Sequence, residues 1–193
     1  MTLQGAGSSE PAPFHLPNEA VDITTSMNEA TTCKPTIRKP KVLAISSGGG
    51  HWVQLLRLQP ALSDCEVVWA TVLATSRSEL NDPTQRFYQV PDATRWNKFG
   101  LIWQALCVLL LVMRVRPQAI ITTGAAPGFF AVMFGRLLLR RTCWIDSVAN
   151  VEELSLSGKH AGRWASLWLT QWPHLAGSNG PMCHGNVIGE APK

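Results

Sequence analysis

The residues best suited to chemistry fall into two clusters with the same layout. Ser46, Ser47, Gly48, Gly49, Gly50 and His51 follow an apolar run at residues 42–45, and Gly124, Ala125, Ala126, Pro127 and Gly128 follow a second run at 118–123. An apolar run that ends in glycines and enters an amphipathic segment makes a strand, a phosphate-type loop and a helix. Amides at such a helix start have no partners inside the helix, and the helix dipole adds to their attraction for an anion such as a diphosphate. His51 brings an imidazole, the side chain that titrates nearest neutral pH, which suits a general base or a group that orients a hydroxyl. A histidine there serves equally as a helix cap. Asp146 ends the run at 142–146 on the same edge, with the polar Ser147 and Asn150 close behind it; a carboxylate there serves equally to cap the next segment.

The first loop is neither of two common nucleotide loops. A Walker loop needs Gly-Lys-Ser/Thr, whereas here the glycines lead into His51, Trp52 and Val53. Gly48 and Gly50 match the first two glycines of the dinucleotide fingerprint, but Val53 stands where the third belongs, and the next strand ends without a ribose-binding acid.

The elements that must position these residues alternate along the chain. Strands are expected at residues 42–45, 65–72, 87–90, 118–123 and 142–146. Helices are expected after the first loop as far as Pro60, at 97–116, at 129–139 and, following a polar loop at 147–159, at 163–172. This alternation predicts parallel strands in a doubly wound α/β sheet whose ligand site lies beyond the carboxyl ends of the strands. Both glycine turns and Asp146 fall on that edge.

The apolar run at 101–113 is interrupted only by Gln104. At about 1.5 Å per residue it covers roughly 20 Å, short of the ~20 apolar residues a bilayer core requires. Trp96, Lys98, Trp103, Leu106, Leu110 and Arg114 have the composition of an interfacial helix, apolar with cations and tryptophans at its ends. Burial between the sheet and another helix is the other reading.

Residues 1–40 carry five prolines and no apolar periodicity, which predicts a disordered tail. It closes on Lys34, Arg38, Lys39 and Lys41, a solvated linker or a lipid-binding patch. Residues 177–193 read as an irregular C-terminal segment. The 193 residues carry 17 Lys and Arg against 13 Asp and Glu, a formal +4 that is too slight to indicate nucleic acid. Five scattered cysteines without a CxxC pair indicate neither a disulfide framework nor a zinc site and fit a reducing cytosol. His174, Cys183 and His184 lack metal-ligand spacing, so no metal is expected.

Taken in order, the stretches KVLAISSGGGHWVQLLRL, AIITTGAAPG and WIDSVANVEELSLSGK followed by LTQWPHLA resemble the Alg14 family, including its bacterial exopolysaccharide members of the PssD type. The resemblance covers residues 41 to about 176, the expected folded domain. It implies a single Rossmann-like doubly wound sheet equivalent to the N-terminal acceptor domain of a MurG-like GT-B glycosyltransferase. It also implies a subunit on the cytoplasmic face of a membrane, the inner membrane in a bacterium, attached peripherally or monotopically. The subunit would bind a polyprenyl-diphosphate-linked acceptor, and an Alg13-like partner would bind the UDP-sugar, with hexosyl transfer only by the pair and no cofactor. On these residues Ser47, Gly48, Gly49 and Gly50 would approach the diphosphate, and Gly124, Pro127 and Gly128 would form a second wall. Ser147 and Asn150 would meet the acceptor, and His51 and Asp146 would carry the chemistry. The transmembrane anchor of eukaryotic members has no counterpart in residues 1–40, which shifts membrane attachment onto 101–113. PssD-type members point to glucuronate as the transferred sugar and Alg14 proper to N-acetylglucosamine. A self-sufficient nucleotide- or dinucleotide-binding enzyme and a noncatalytic membrane adaptor are the rival readings.

Overall fold

The computed structural model describes residues 38–94 and 96–189. Most of the expected tail, Arg95 and residues 190–193 lie outside the described residues. Seven strands, β1 (Lys41–Ile45), β2 (Glu66–Thr71), β3 (Arg86–Gln89), β4 (Ala119–Thr122), β5 (Arg141–Ile145), β6 (Leu167–Thr170) and β7 (Met182–Cys183), form one sheet in the order β3-β2-β1-β4-β5-β6-β7. Every neighbouring pair is parallel. Among the described residues four α-helices accompany it: α1 (Gly50–Leu56), α2 (Lys98–Val115), α3 (Ala125–Leu137) and α4 (Leu156–Ala161).

The sheet is buried on both faces through the period-two alternation of its strands. Leu43 and Ile45 of β1 point to the face where α2 and α3 bring Val108, Val112 and Ala131. Ala44 points to the opposite face, where Trp52 and Leu55 of α1 pack on Val67 and Trp69. Trp52 and Trp69 meet edge-on with ring centroids 5.7 Å apart, the arrangement their quadrupoles favour. A third cluster joins Val132 of α3, Trp144 of β5 and Ala161 of α4. Burial pushes the Cys143 thiol up to about 12, so it stays protonated near neutral pH and is a poor nucleophile.

Strand order reverses between β1 and β4. The chain leaves β1 toward β2 on one side and β4 toward β5 on the other, so the loops after these two strands diverge and open a crevice. Those loops are the two glycine turns. Glycine is also what lets α3 lie so close to β4. A Cβ at Gly128 would sit 2.0 Å from Thr122 Oγ1, and one at Gly135 would sit 2.5 Å from Ile120 Cδ1. Gly128→Ala is therefore expected to cost about 1–3 kcal/mol through overpacking and to lower the thermal midpoint by several degrees. Gly50→Ala, with nothing within 4 Å of the added carbon, should leave the midpoint nearly unchanged in the same calorimetric scan.

Four expectations need correction. Residues 163–172 are not a helix: α4 lies earlier and β6 occupies 167–170. Gly162 ends the helical turn against the Trp168 ring, which lies 2.6 Å from where a Cβ would stand, and the aromatic and branched residues that follow suit a pleated strand. Second, α3 starts at Ala125 rather than at 129, because Pro127 in a first turn forfeits only an amide that the helix would leave unpaired. Third, α2 runs for 18 residues, and by length and composition alone it reaches what a membrane span requires. Asn97 caps its start by accepting the Gly100 amide at 2.9 Å, and Arg116 ends it in a left-handed conformation just before Pro117. Fourth, the segment read as irregular at 177–193 contributes the short edge strand β7.

Candidate functional site

A cavity of about 410 Å³ opens at the reversal point. His51 of α1 and Ala125 and Ala126 of α3 form one side of it, Ser147, Ala149 and Asn150 after β5 form another, and Ala93 together with Ser155, Leu156 and Ser157 at the start of α4 complete it. The backbone around it is unusual. Gly49 has φ 67° and ψ −136°, Gly124 has φ 128°, and Ala125 holds φ 65° without being glycine. Glycine adopts such conformations without a Cβ penalty, whereas in Ala125 the cost is of order 1–3 kcal/mol, and strained conformations of this kind concentrate at functional sites. They turn the starts of α1 and α3 toward the crevice. Neither helix has an acidic residue in its first turn or a side chain capping its start, so neither N-terminus has its partial positive charge offset by a side chain of its own first turn.

His51 is held at both its ring and its backbone. Its Nδ1 lies 2.9 Å from the Thr123 carbonyl oxygen, and Thr123 Oγ1 donates to the His51 carbonyl at 2.6 Å. A carbonyl can only accept, so Nδ1 carries the hydrogen. In the neutral ring Nε2 is then the basic nitrogen, and the side chain lines the cavity. Gly124 makes room for that ring, because a Cβ there would stand 2.9 Å from His51 Cε1.

Asp146 takes a different place. It is 1% exposed, and Ser155 donates to it from both its backbone amide, at 2.9 Å, and its hydroxyl, at 2.6 Å. Trp144 Nε1 at 3.2 Å and Asn150 Nδ2 at 3.3 Å complete the set. Four donors offset the cost of burying a carboxylate. They also commit it to the chain, so Asp146 fixes the 147–155 loop from behind the cavity wall. Ser155 in turn caps α4, its hydroxyl accepting the Gly158 amide at 2.8 Å.

Of the residues picked out in the sequence, the fold brings His51, Ser147 and Asn150 to one cavity, with Gly124 backing the His51 ring. Gly49 and Gly50 are exposed at the start of α1, whereas Gly48 packs on Leu73 and Pro127 and Gly128 are buried inside α3. Ser47 is half-buried, its hydroxyl 3.4 Å from the Gly48 carbonyl. Sequence reasoning missed Ala93, Ser155, Leu156 and Ser157. Only Ser155, followed at N3 by Gly158 in the manner of a capping serine, carried a local signal. His174 and His184 are not joined in a metal cluster among the described residues; His174 Nε2 lies 2.6 Å from the Val151 carbonyl.

Helix α2 presents two apolar faces. Val108 and Val112 are buried in the core, while Phe99, Trp103 and Leu110 are 87%, 61% and 61% exposed. Ile102, Leu106 and Met113 extend the exposed stripe, which Lys98 and Arg114 flank. One face of the helix is therefore buried against the core, and the other is apolar and exposed.

No family model matches the chain. Its sequence is 26% identical over 168 residues to the mouse UDP-N-acetylglucosamine transferase subunit ALG14, covering 70% of this chain and 76% of that one. The Yarrowia lipolytica ALG14 subunit is 24% identical, with 74% and 78% covered. Among solved structures, Acinetobacter baumannii MurG superposes with a TM-score of 0.62 at 16% identity over 80% of this chain and 47% of MurG. A UDP-N-acetylglucosamine 2-epimerase from Rickettsia bellii gives 0.61 at 9% identity, again over 80% of this chain and 47% of the other. The chain thus spans about half the length of these enzymes. Sequence and fold point the same way: the chain is distantly similar to the ALG14 transferase subunits, and it shares the fold of about half of MurG.

Proposed function

We propose that this chain is the acceptor-binding, membrane-associated subunit of a two-component glycosyltransferase. It holds a polyprenyl-diphosphate-linked saccharide, and an Alg13-like partner supplies the UDP-sugar. The observation that carries this reading is the convergence of two uncapped helix starts on a cavity that His51 lines. Their amides suit a diphosphate, and the imidazole lining the same cavity suits a base for an acceptor hydroxyl. His51 Nε2 takes the hydroxyl proton as that oxygen bonds to the anomeric carbon of the donor, and the bond from that carbon to the UDP oxygen breaks. Ser147 and Asn150 orient the acceptor sugar. Asp146 keeps their loop in place rather than touching substrate.

The ALG14 proteins it resembles are themselves transferase subunits, which supports a separate donor subunit. The relatives' own donor makes UDP-N-acetylglucosamine the first to try, with UDP-glucuronate beside it. The experiment is sugar transfer to a polyprenyl-diphosphate-sugar, measured for this chain alone, for an Alg13-like partner alone and for the two mixed. Product from the mixture only is the expected result; product from this chain alone would overturn the two-component reading.

A further inference from the structure

Two glutamine side chains outside the cavity, Gln54 of α1 and Gln171 just after β6, are 7% and 2% exposed. Nearly all of their hydrogen-bonding capacity is used. Gln54 Nε2 donates to the Gly50 carbonyl at 3.2 Å and to Ser147 Oγ at 2.9 Å. Its Oε1 accepts from the Val148 amide at 3.0 Å and from Gln171 Nε2 at 2.9 Å. Gln171 Nε2 also donates to the Asp146 carbonyl at 2.8 Å, and its Oε1 accepts the Val187 amide at 2.9 Å. The partners decide which way each amide points: Val148 and Val187 offer N–H groups that need an oxygen, and Gly50 and Asp146 offer carbonyls that need a donor.

These bonds connect three parts of the chain that share no local sequence. Gln54 stands one turn after His51, Ser147 and Val148 begin the opposite wall of the cavity, and Val187 belongs to the C-terminal segment. Trp172 reinforces the link by donating from Nε1 to the Val148 carbonyl at 2.9 Å. Once one amide of such a buried network is lost, the others are left with unpaired polar groups in a low-dielectric setting, so the members act together.

We infer that Gln54 and Gln171 form a two-amide clamp that sets the separation between the His51 helix and the Ser147–Asn150 wall, and hence the width of the acceptor cavity. Both are positioning residues, since neither lines the cavity. The consequence for ligand binding rests on the proposed acceptor site; the coupling of the two walls does not. It also gives the C-terminal segment a role, because Val187 holds Gln171 from behind.

The test uses the full chain, with farnesyl diphosphate as the probe in titration calorimetry and amide hydrogen exchange read at Val148 and Val187. In Gln54→Leu and in Gln171→Leu, exchange should accelerate at least tenfold at both amides, although each variant removes a direct bond to only one of them. Probe affinity should fall about tenfold in each, and the double variant should be no worse than either single one. Gly135→Ala serves as the control for general destabilisation: it crowds Ile120 at the other end of the sheet and should lower the thermal midpoint without moving either reading. Acceleration confined to the directly bonded amide in each glutamine variant, or affinity losses matched by Gly135→Ala, would overturn the clamp. If the unmodified chain does not bind farnesyl diphosphate, the acceptor reading fails. The clamp is then decided by exchange alone, coupled acceleration supporting it and independent acceleration refuting it.

Discussion

His51→Ala is expected to lower the turnover of the reconstituted transferase by about 100- to 10,000-fold, the usual contribution of a positioned general base. The chain should stay folded and bound to its partner, because the ring is half-buried at the cavity and contributes one hydrogen bond, to the Thr123 carbonyl. That bond sets the tautomer, so disturbing the ring's seat should act through the same step. Gly124→Ala places a methyl group 2.9 Å from His51 Cε1 on a backbone at φ 128°, and it should reproduce much of the loss in kcat. Thr123→Val removes the hydroxyl that donates to the His51 carbonyl but keeps the Thr123 carbonyl, and a smaller loss is expected. Steady-state kinetics with saturating acceptor reads all three. Full activity in His51→Ala would favour the adaptor reading, in which the glycine loops are only scaffolding.

The second large effect concerns the membrane. Changing Phe99, Trp103 and Leu110 together to serine should abolish flotation of the protein with vesicles containing anionic lipid. Full seating of each side chain in the interface is worth about 1.5–3 kcal/mol at most, so losing three should reduce partitioning by up to about 1,000-fold at the lower figure. Lys98 and Arg114 supply the charge that favours anionic headgroups. The fold should survive, because α2 is held through Val108, Leu111 and Val112 on its other face. This two-faced arrangement also bears on the length of α2. A helix that spans a bilayer meets lipid or other helices all round, whereas α2 has one side against the sheet, as an interfacial helix would. If the triple variant unfolds, or still floats, the exposed stripe is not the membrane contact.

Much of the fold could be read from the chain because its first five strands are short apolar runs next to glycine, proline or charged residues, and such punctuation is local. The position of the site followed as well, since the loops after β1 and β4 carry the glycines and strand order reverses between them. What escaped the reading was non-local or ambiguous in period. β6 was hidden in a tryptophan-rich stretch that suits a helix face as well as a strand, and only its pairing with β5 decides the matter. Asp146 looked like a substrate group because strand-end carboxylates often are; that Ser155, nine residues on, folds back to occupy it is a property of the loop. The Gln54–Gln171 contact spans 117 residues, and nothing near either glutamine announces the other.

If this chain holds the lipid-linked acceptor without a partner, equilibrium binding to the isolated chain will show it. The purified chain, in detergent or on vesicles, is titrated with a radiolabelled polyprenyl-diphosphate-sugar and, separately, with UDP-N-acetylglucosamine, UDP-glucuronate and NAD. Saturable binding of the lipid-linked acceptor, competed by inorganic diphosphate, with no binding of the three nucleotides until the partner is added, is the predicted result. Tight binding of a nucleotide by the isolated chain, with no affinity for the acceptor, would contradict it and make the glycine loops a nucleotide site.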